Sequence, residues 1–332
     1  MRGRWVAEAT RNAVVAFVLH WMETGGLTQA KLLKWLGLPK CRFHDWRARN
    51  GLPNRHNGSH AKEHWLEGWE VEAIKSYAVE HPDDGYRRLS FMMLDADVVA
   101  VSPSSVYRVL KAAGLLNRSQ RKPSRKGTGF VQPTRPHEHW HTDITFIRIG
   151  ASFYCIISVL DGYSRMIIHW ELREKMTRLD VMLVIERARE KHPEAKGVRV
   201  ISDNGSQYTS REFASYMALC GMTHVRTSPY YPQSNGKQER FHQSLKAEGV
   251  HPNSPVSKAD AERIIGIYVE YYCSVRLHSA IGYVAPRDKL EGREPLIFAQ
   301  RQRKLDEASK RRAAALLNQT GTPLKKAAGS IE

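Results

Sequence analysis

Along the first 116 residues the apolar positions read as helices with one buried face. In GLTQAKLLKWLGLPKCRFHDWRAR, Thr28 can cap a helix carrying Leu32, Leu33 and Leu36, and Gly37 supplies a tight turn. A second helix then turns Phe43 and Trp46 inward. In VAVSPSSVYRVLKAAGLL, Ser102 is a good N-cap, Pro103 a good first helical residue, and Val106, Val109 and Leu110 form the inward face. Each unit has the outline of a helix-turn-helix. Lys40, Arg42, Arg47 and Arg49 surround the first, and Arg108 and Lys111 face solvent on the second. A plain helical hairpin with a solvated charged face fits either unit equally well.

The rhythm changes near Trp140. HWHTDITFIRIG alternates as a strand, and SFYCIISVLDGYSRMIIHWEL reads as two more strands with Asp161-Gly162 at the turn. Thr177 caps a helix striped with Val181, Val184, Ile185 and Ala188. VRVI is a short buried strand ending in SDNG, and Thr209 with Glu212 predicts a capping box for a helix bearing Phe213, Tyr216, Met217 and Cys220. THVRTSP is a further strand. After the loop formers Pro232, Asn235 and Gly236, a helix from Gln238 carries Phe241 and Leu245 on one face. Three hairpin-linked strands followed by helix, strand, helix, strand, helix predict an α/β sheet of mixed direction.

The sections are therefore residues 1–60, 64–116, a linker at 117–136, a core at 137–295, and a basic helical tail at 296–332 ending in a disordered terminus. The linker has six basic residues, including Arg121, Lys122, Arg125 and Lys126, no acidic ones, three prolines and two glycines. Such a stretch cannot bury a core and predicts an extended segment.

Composition narrows the partners. A chain of 332 residues suggests two or three domains, and 42% hydrophobic with 26% charged residues is ordinary for a soluble protein. The net charge of +17 suits a polyanion partner or a basic surface without specificity, and charge alone does not choose between them. Four cysteines without paired spacing fit neither a zinc ribbon nor a disulfide framework, and suit a reducing cytosol. The apolar run AVVAFVLHWM is too short to span a bilayer, so no membrane association is expected. The eight tryptophans default to core or helix packing.

Candidate chemistry rests on three acids. Asp143 lies within the first strand, Asp203 just past the fourth, and Glu239 in the first turn of a helix entered from a Pro/Gly loop. If those strands are neighbours, the carboxylates can meet at the sheet, and such a cluster calls for hard divalent cations. Taken singly, each acid is better read as structural: Asp143 as an edge-strand polar residue, Asp203 as a turn former or helix-entry Asp, and Glu239 as a first-turn Glu favoured by the helix dipole.

Their contexts decide. HTDIT, SDNGSQYTS and SPYYPQSNGKQERFHQSLK together resemble the catalytic core of bacterial insertion-sequence transposases of the retroviral-integrase superfamily. Glu239 follows Asp203 by 36 positions, the spacing typical of that core. VRLHSAIGYVAP resembles the segment after the core, and HPDDGYRRL with Val101–Leu116 the region before it, so the resemblance covers most of residues 25–295. One departure is Tyr272-Cys273, where the family often has Tyr-Asn.

The resemblance implies a ribonuclease-H-like mixed five-stranded sheet with flanking helices, preceded by all-α helix-turn-helix units. It implies a transposase in which Asp143, Asp203 and Glu239 hold two Mg²⁺ ions, Mn²⁺ being able to substitute. Lys246, seven after Glu239, would contact DNA, with Asn235, Arg240, Arg276 and His278 as further candidates beside the basic residues named above. Expected partners are double-stranded DNA (terminal inverted repeats and target), other copies of the chain on paired ends, and an upstream-frame DNA-binding partner, in the bacterial cytoplasm at the nucleoid. His137, His139 and His141 alternate as a metal cluster could, but surface or DNA-side roles are expected of them. A catalytically silent DNA-binding remnant and an RNA–DNA hybrid nuclease are the rival readings.

Overall fold

A computed structural model describes residues 6–52, 65–116, 131–227 and 235–320. Arg121, Lys122, Arg125 and Lys126 of the linker lie outside the described residues, as do Pro232 and the terminus after residue 320. The chain divides into two compact units at Trp65 and Leu66, the second running to Ala315.

In the first unit, α1 (Glu8–Glu23), α2 (Gln29–Trp35) and α3 (Lys40–Ala48) enclose Val15, Val18, Leu32, Leu33, Leu38, Phe43 and Trp46. Gly37 turns the chain between α2 and α3 at φ +61, a conformation open to glycine. Thr28 is the N-cap of α2, yet its side chain makes no cap hydrogen bond. Lys40 and Arg47 are exposed, and Arg42 is half-buried.

The second unit opens with α4 (Gly68–Glu80), α5 (Tyr86–Asp95) and α6 (Pro103–Ala112), packed through Ile74, Leu89, Met93, Val106 and Leu110. Ser102 caps α6, its Oγ accepting from the Ser105 N–H. Five strands follow: β1 (His139–Ile149), β2 (Ser152–Asp161), β3 (Ile167–Arg173), β4 (Arg199–Ser202) and β5 (Thr223–Arg226). Their order is β3-β2-β1-β4-β5; β1–β3 form an antiparallel meander, and β4 and β5 add in parallel. This is the mixed ribonuclease-H-like sheet that the pattern and the resemblance predict.

Helices cover both faces. On one, α7 (Arg178–Lys191) and α8 (Arg211–Leu219) pack Val181, Val184, Ile185 and Phe213 against Ile157 and Val159. On the other lies α9 (Gly236–Ser244), continuing through a π-helical stretch (Leu245–Val250) into α10 (His251–Asn253), with α11 (Lys258–Ser274) beside it. Phe241, Leu245, Ile265 and Tyr272 there meet Ile156 and Leu160. Successive β2 residues thus enter opposite cores, which is why this strand reads as one apolar run. Thr177 caps α7 with Asp180, as expected. The cap of α8 is Ser210, one residue beyond the predicted Thr209: Ser210 Oγ accepts from the Phe213 N–H at 3.1 Å, while the Thr209 hydroxyl donates to the Ser206 carbonyl.

After α12 (Pro286–Leu290), the long α13 (Glu294–Thr320) packs on α4–α6. Arg301 makes a bidentate pair with Asp95, Lys304 donates to the Leu94 carbonyl, and Arg311 and Arg312 both reach the fully buried Glu70, at 2.6 and 3.0 Å. Basic residues of the tail are therefore engaged in packing. Trp46 and Trp140 are core residues as expected, but Trp21, Trp35, Trp65 and Trp69 are exposed, Trp69 lying beneath the Arg311 guanidinium. Among the described residues no helix is long and apolar enough to cross a membrane.

Candidate active site

The parallel pairing of β1 with β4 sets the first two acids. His139, Trp140 and His141 align with Arg199, Val200 and Ile201. Asp143 and Asp203 each stand two residues beyond the last of these rungs, which brings their backbones to one level of the sheet; Asp143 faces α9, whose His242 meets it, and Asp203 follows directly on the end of β4. Tyr208, whose hydroxyl meets Thr142 Oγ1 at 3.3 Å, registers both acids: burial raises its phenol pKa, and the Asp143 and Asp203 charges push it in the same direction.

Asp203 sits on the SDNG turn. Its Oδ1 accepts from the Gly205 N–H at 3.0 Å, and Asn204 ties the turn to β5 through the Thr227 carbonyl. A Cβ at position 205 would stand 3.1 Å from Asp203 Oδ1 and 2.9 Å from Gln207 Oε1, so glycine is what lets the carboxylate fold back on the turn.

The third acid arrives on α9. The helix begins at Gly236 with Asn235 as N-cap, two residues earlier than predicted, and Glu239 is exposed in its first turn. Asn235, by contrast, is buried, its Nδ2 donating to the Thr142 carbonyl at 3.5 Å. Gln238 is fully buried, its Nε2 donating to the Ser158 carbonyl (2.7 Å) and Oγ (2.8 Å). His242 bridges Ser158 Oγ (3.0 Å) and Asp143 Oδ2 (3.5 Å). Lys246 is half-buried; burial lowers its ammonium pKa while the Asp143 charge works against that shift. Arg240 is exposed beside Glu239, and Arg108 is exposed on α6.

Among the described residues, Asp203 and Glu239 have no ion pair, and Asp143 has only the His242 imidazole beside it at 3.5 Å, in a chain of net charge +17. Hard oxygen donors left without positive side chains suit divalent cations. The three acids are not drawn to within common ligand distance of one another. The trio that is, with ligand atoms all within 4.8 Å, consists of His137, His192 and Glu194. There His137 Nδ1 accepts from the Trp140 indole N–H at 3.2 Å, which leaves its proton on Nε2 facing Glu194 at 3.3 Å. That tautomer has no Nε2 lone pair for a metal.

Three expectations change. His139 and His141 are buried on β1, so neither has a surface or DNA-side role; the sheet is covered on both faces. Arg276 is also buried and makes a bidentate pair with Glu248 at 2.7 and 2.6 Å, which removes its guanidinium from a DNA-facing surface. His278 is buried too, and burial, together with Arg165, Arg276, Arg88 and Arg240, pushes its pKa down to about 3. The unfolded chain then binds a proton at His278 that the folded chain refuses between pH 6.5 and about 3, so stability is lost as pH falls through that window. From pH 7 to pH 5 this group should cost about 2 kcal/mol. His278→Asn, which keeps an acceptor for the Ala280 N–H, should remove that part of the slope in urea unfolding; an unchanged slope refutes the assignment.

The residues the sequence did not single out are Ser158, Tyr208, Gln238 and His242. Gln238 and His242 carry a signal in retrospect: two polar residues four apart, flanking Phe241 on the apolar side of α9.

Residues 133–232 match the family model described as the integrase core domain, and residues 220–286 a second model of that description. The chain is an integrase-core protein, a polynucleotidyl transferase by class. Among curated proteins the chain is similar to insertion-sequence transposases. It is 26% identical over 233 residues to the transposase of insertion sequence element IS904 from Lactococcus lactis, covering 65% of this chain and 91% of that one. To the InsD transposase of insertion element IS2 from Escherichia coli it is 28% identical over 236 residues, covering 64% and 75%. Similar solved structures include the simian T-cell lymphotropic virus intasome with PP2A regulatory subunit B56 gamma (TM-score 0.42, 17% identity, 66% of this chain and 74% of that one). The BIV integrase catalytic core gives TM-score 0.37 at 22% identity over 48% and 97%.

Proposed function

We propose that this chain cuts DNA at the ends of a mobile element and joins the freed 3′-hydroxyl to target DNA. In the first step water attacks a phosphodiester, releasing the 3′-hydroxyl and leaving a 5′-phosphate on the flanking strand. In the second, that hydroxyl attacks a target phosphodiester, one P–O bond forming as another breaks, without a covalent protein–DNA intermediate. The observation that carries this reading is the common level of Asp143 and Asp203 across the β1–β4 pairing, with Asp143 met by α9, the helix that carries Glu239. Two Mg²⁺ ions, or Mn²⁺ in their place, held by these acids, would activate the attacking oxygen and neutralise charge on the leaving one.

Other parts of the chain then hold DNA. Lys246 and Arg240 lie on the helical segment that carries Glu239, where they can meet phosphates near the acids. The helical units, with Lys40, Arg42, Arg47 and Arg108, recognise element ends, and the basic segment at 117–136 follows the backbone. Work on two ends requires copies of the chain in one assembly, with an upstream-frame DNA-binding protein as an additional partner. The expected site of action is the cytoplasm, at the nucleoid.

The test is labelled duplex carrying the inverted repeats that flank the gene, incubated with the full chain and Mg²⁺. Metal-dependent nicking and joined products are expected. Binding without cleavage would mean a silent DNA-binding remnant, and preference for RNA–DNA hybrids would mean a hybrid nuclease. The logarithm of affinity should fall with log salt by about 0.9 per phosphate neutralised. Salt-independent binding would mean that the +17 charge plays no part.

A further inference from the structure

A buried polar chain joins the helix of Glu239 to the strand of Asp143. Asp143 and Ser158 are direct cross-strand partners on β1 and β2, and both face α9. From α9, Gln238 and His242 converge on Ser158, and all three side chains are buried.

The donors and acceptors in this chain fix one another. The Ser158 carbonyl can only accept, so the atom of Gln238 that meets it at 2.7 Å is the amide nitrogen. That nitrogen also donates to Ser158 Oγ at 2.8 Å. The hydroxyl proton of Ser158 then has His242 Nε2, at 3.0 Å, as its acceptor. With Nε2 accepting, a neutral imidazole carries its proton on Nδ1, which faces Asp143 Oδ2 at 3.5 Å. The opposite tautomer would set a nitrogen lone pair against a carboxylate and leave a buried hydroxyl proton without an acceptor.

We infer that His242, as the Nδ1-protonated tautomer, is a positioning residue that orients the Asp143 carboxylate and locks α9, with Glu239, onto the β1–β2 rung. The inference rests on the reading of Asp143, Asp203 and Glu239 as the cation-holding acids. A carboxylate fixed by a partner of this kind loses less freedom on binding a cation, and removing such a partner typically costs 10–100-fold in metal affinity.

Three substitutions separate positioning from packing. His242→Asn keeps an N–H at the δ position toward Asp143 but is too short for Ser158. His242→Gln reaches Ser158 but has no δ donor, and His242→Leu has neither. In the full chain, Mg²⁺ and Mn²⁺ affinities would be measured by titration calorimetry, alongside folding by circular dichroism and affinity for a duplex end. The Gln and Leu variants should bind either cation about 10–100-fold more weakly and the Asn variant within about threefold of wild type, with DNA affinity unchanged in all. Rescue by Gln and not by Asn would overturn the inference in favour of simple anchoring through Ser158, as would three variants equal to wild type. Nitrogen-15 NMR of histidine-labelled wild-type chain, without added metal, reads the tautomer directly; a proton on Nε2 refutes the proposal even if the variants fail to fold. If Asp203→Asn leaves joining intact, the acid reading itself has failed. If that variant is dead while the His242 variants bind cations normally, only the positioning role has.

Discussion

Asp203→Asn lowers strand joining by at least about 10³-fold, equivalent to about 4 kcal/mol of transition-state stabilisation, while end-DNA affinity stays within about threefold. The substitution is close to isosteric. Asn retains a δ oxygen for the Gly205 N–H, so the turn after β4 keeps its shape. What disappears is one negative charge of a set that has no compensating cationic side chain on Asp203 or Glu239 among the described residues. The proposed DNA-holding residues lie elsewhere, on α3, α6 and the segment after Glu239, and are untouched. Single-turnover joining assays with matched binding curves decide the matter. A variant that joins at the wild-type rate removes Asp203 from the reaction, and one that loses binding in parallel places it in DNA recognition instead.

Glu70→Ala should destabilise the second unit by about 3–5 kcal/mol. Glu70 is fully buried, accepts from the Glu67 N–H at the start of α4, and pairs with both Arg311 and Arg312. Truncating it strands the Arg312 guanidinium, itself buried, with the Ala100 carbonyl at 3.3 Å as its remaining partner among the described residues. The cost is dominated by that uncompensated cation rather than by the lost attraction. Urea unfolding of the variant gives the number. A double variant with Arg312→Met should recover part of the loss, because the orphaned charge goes too. A loss below about 1 kcal/mol would show that the pair is solvated in solution.

Much of the catalytic half is legible in sequence because its local signals and its burial agree. The Thr177 cap, the turn at Asp161-Gly162 and the alternating stripe of α7 each specify what forms. Parallel addition of β4 to β1 is what gives Asp143 and Asp203 a common level, and no local signal encodes register between strands some 60 positions apart. Charged residues are where reading by residue type fails. Arg276, His278, Arg301 and Arg312 look like surface cations in sequence, and all four are buried, the three arginines against partners 28, 206 and 242 positions away. The Ser158–His242 contact spans 84 positions, and neither residue type announces it.

The pairing of Glu70 with Arg311 spans 241 positions. A ribosome adding roughly 5–20 residues per second needs on the order of 10–50 seconds to cover that stretch. During that interval the nascent α4–α6 bundle holds a carboxylate that has no guanidinium to meet it. The ion pairs that complete the bundle therefore form only after the catalytic sheet has already emerged.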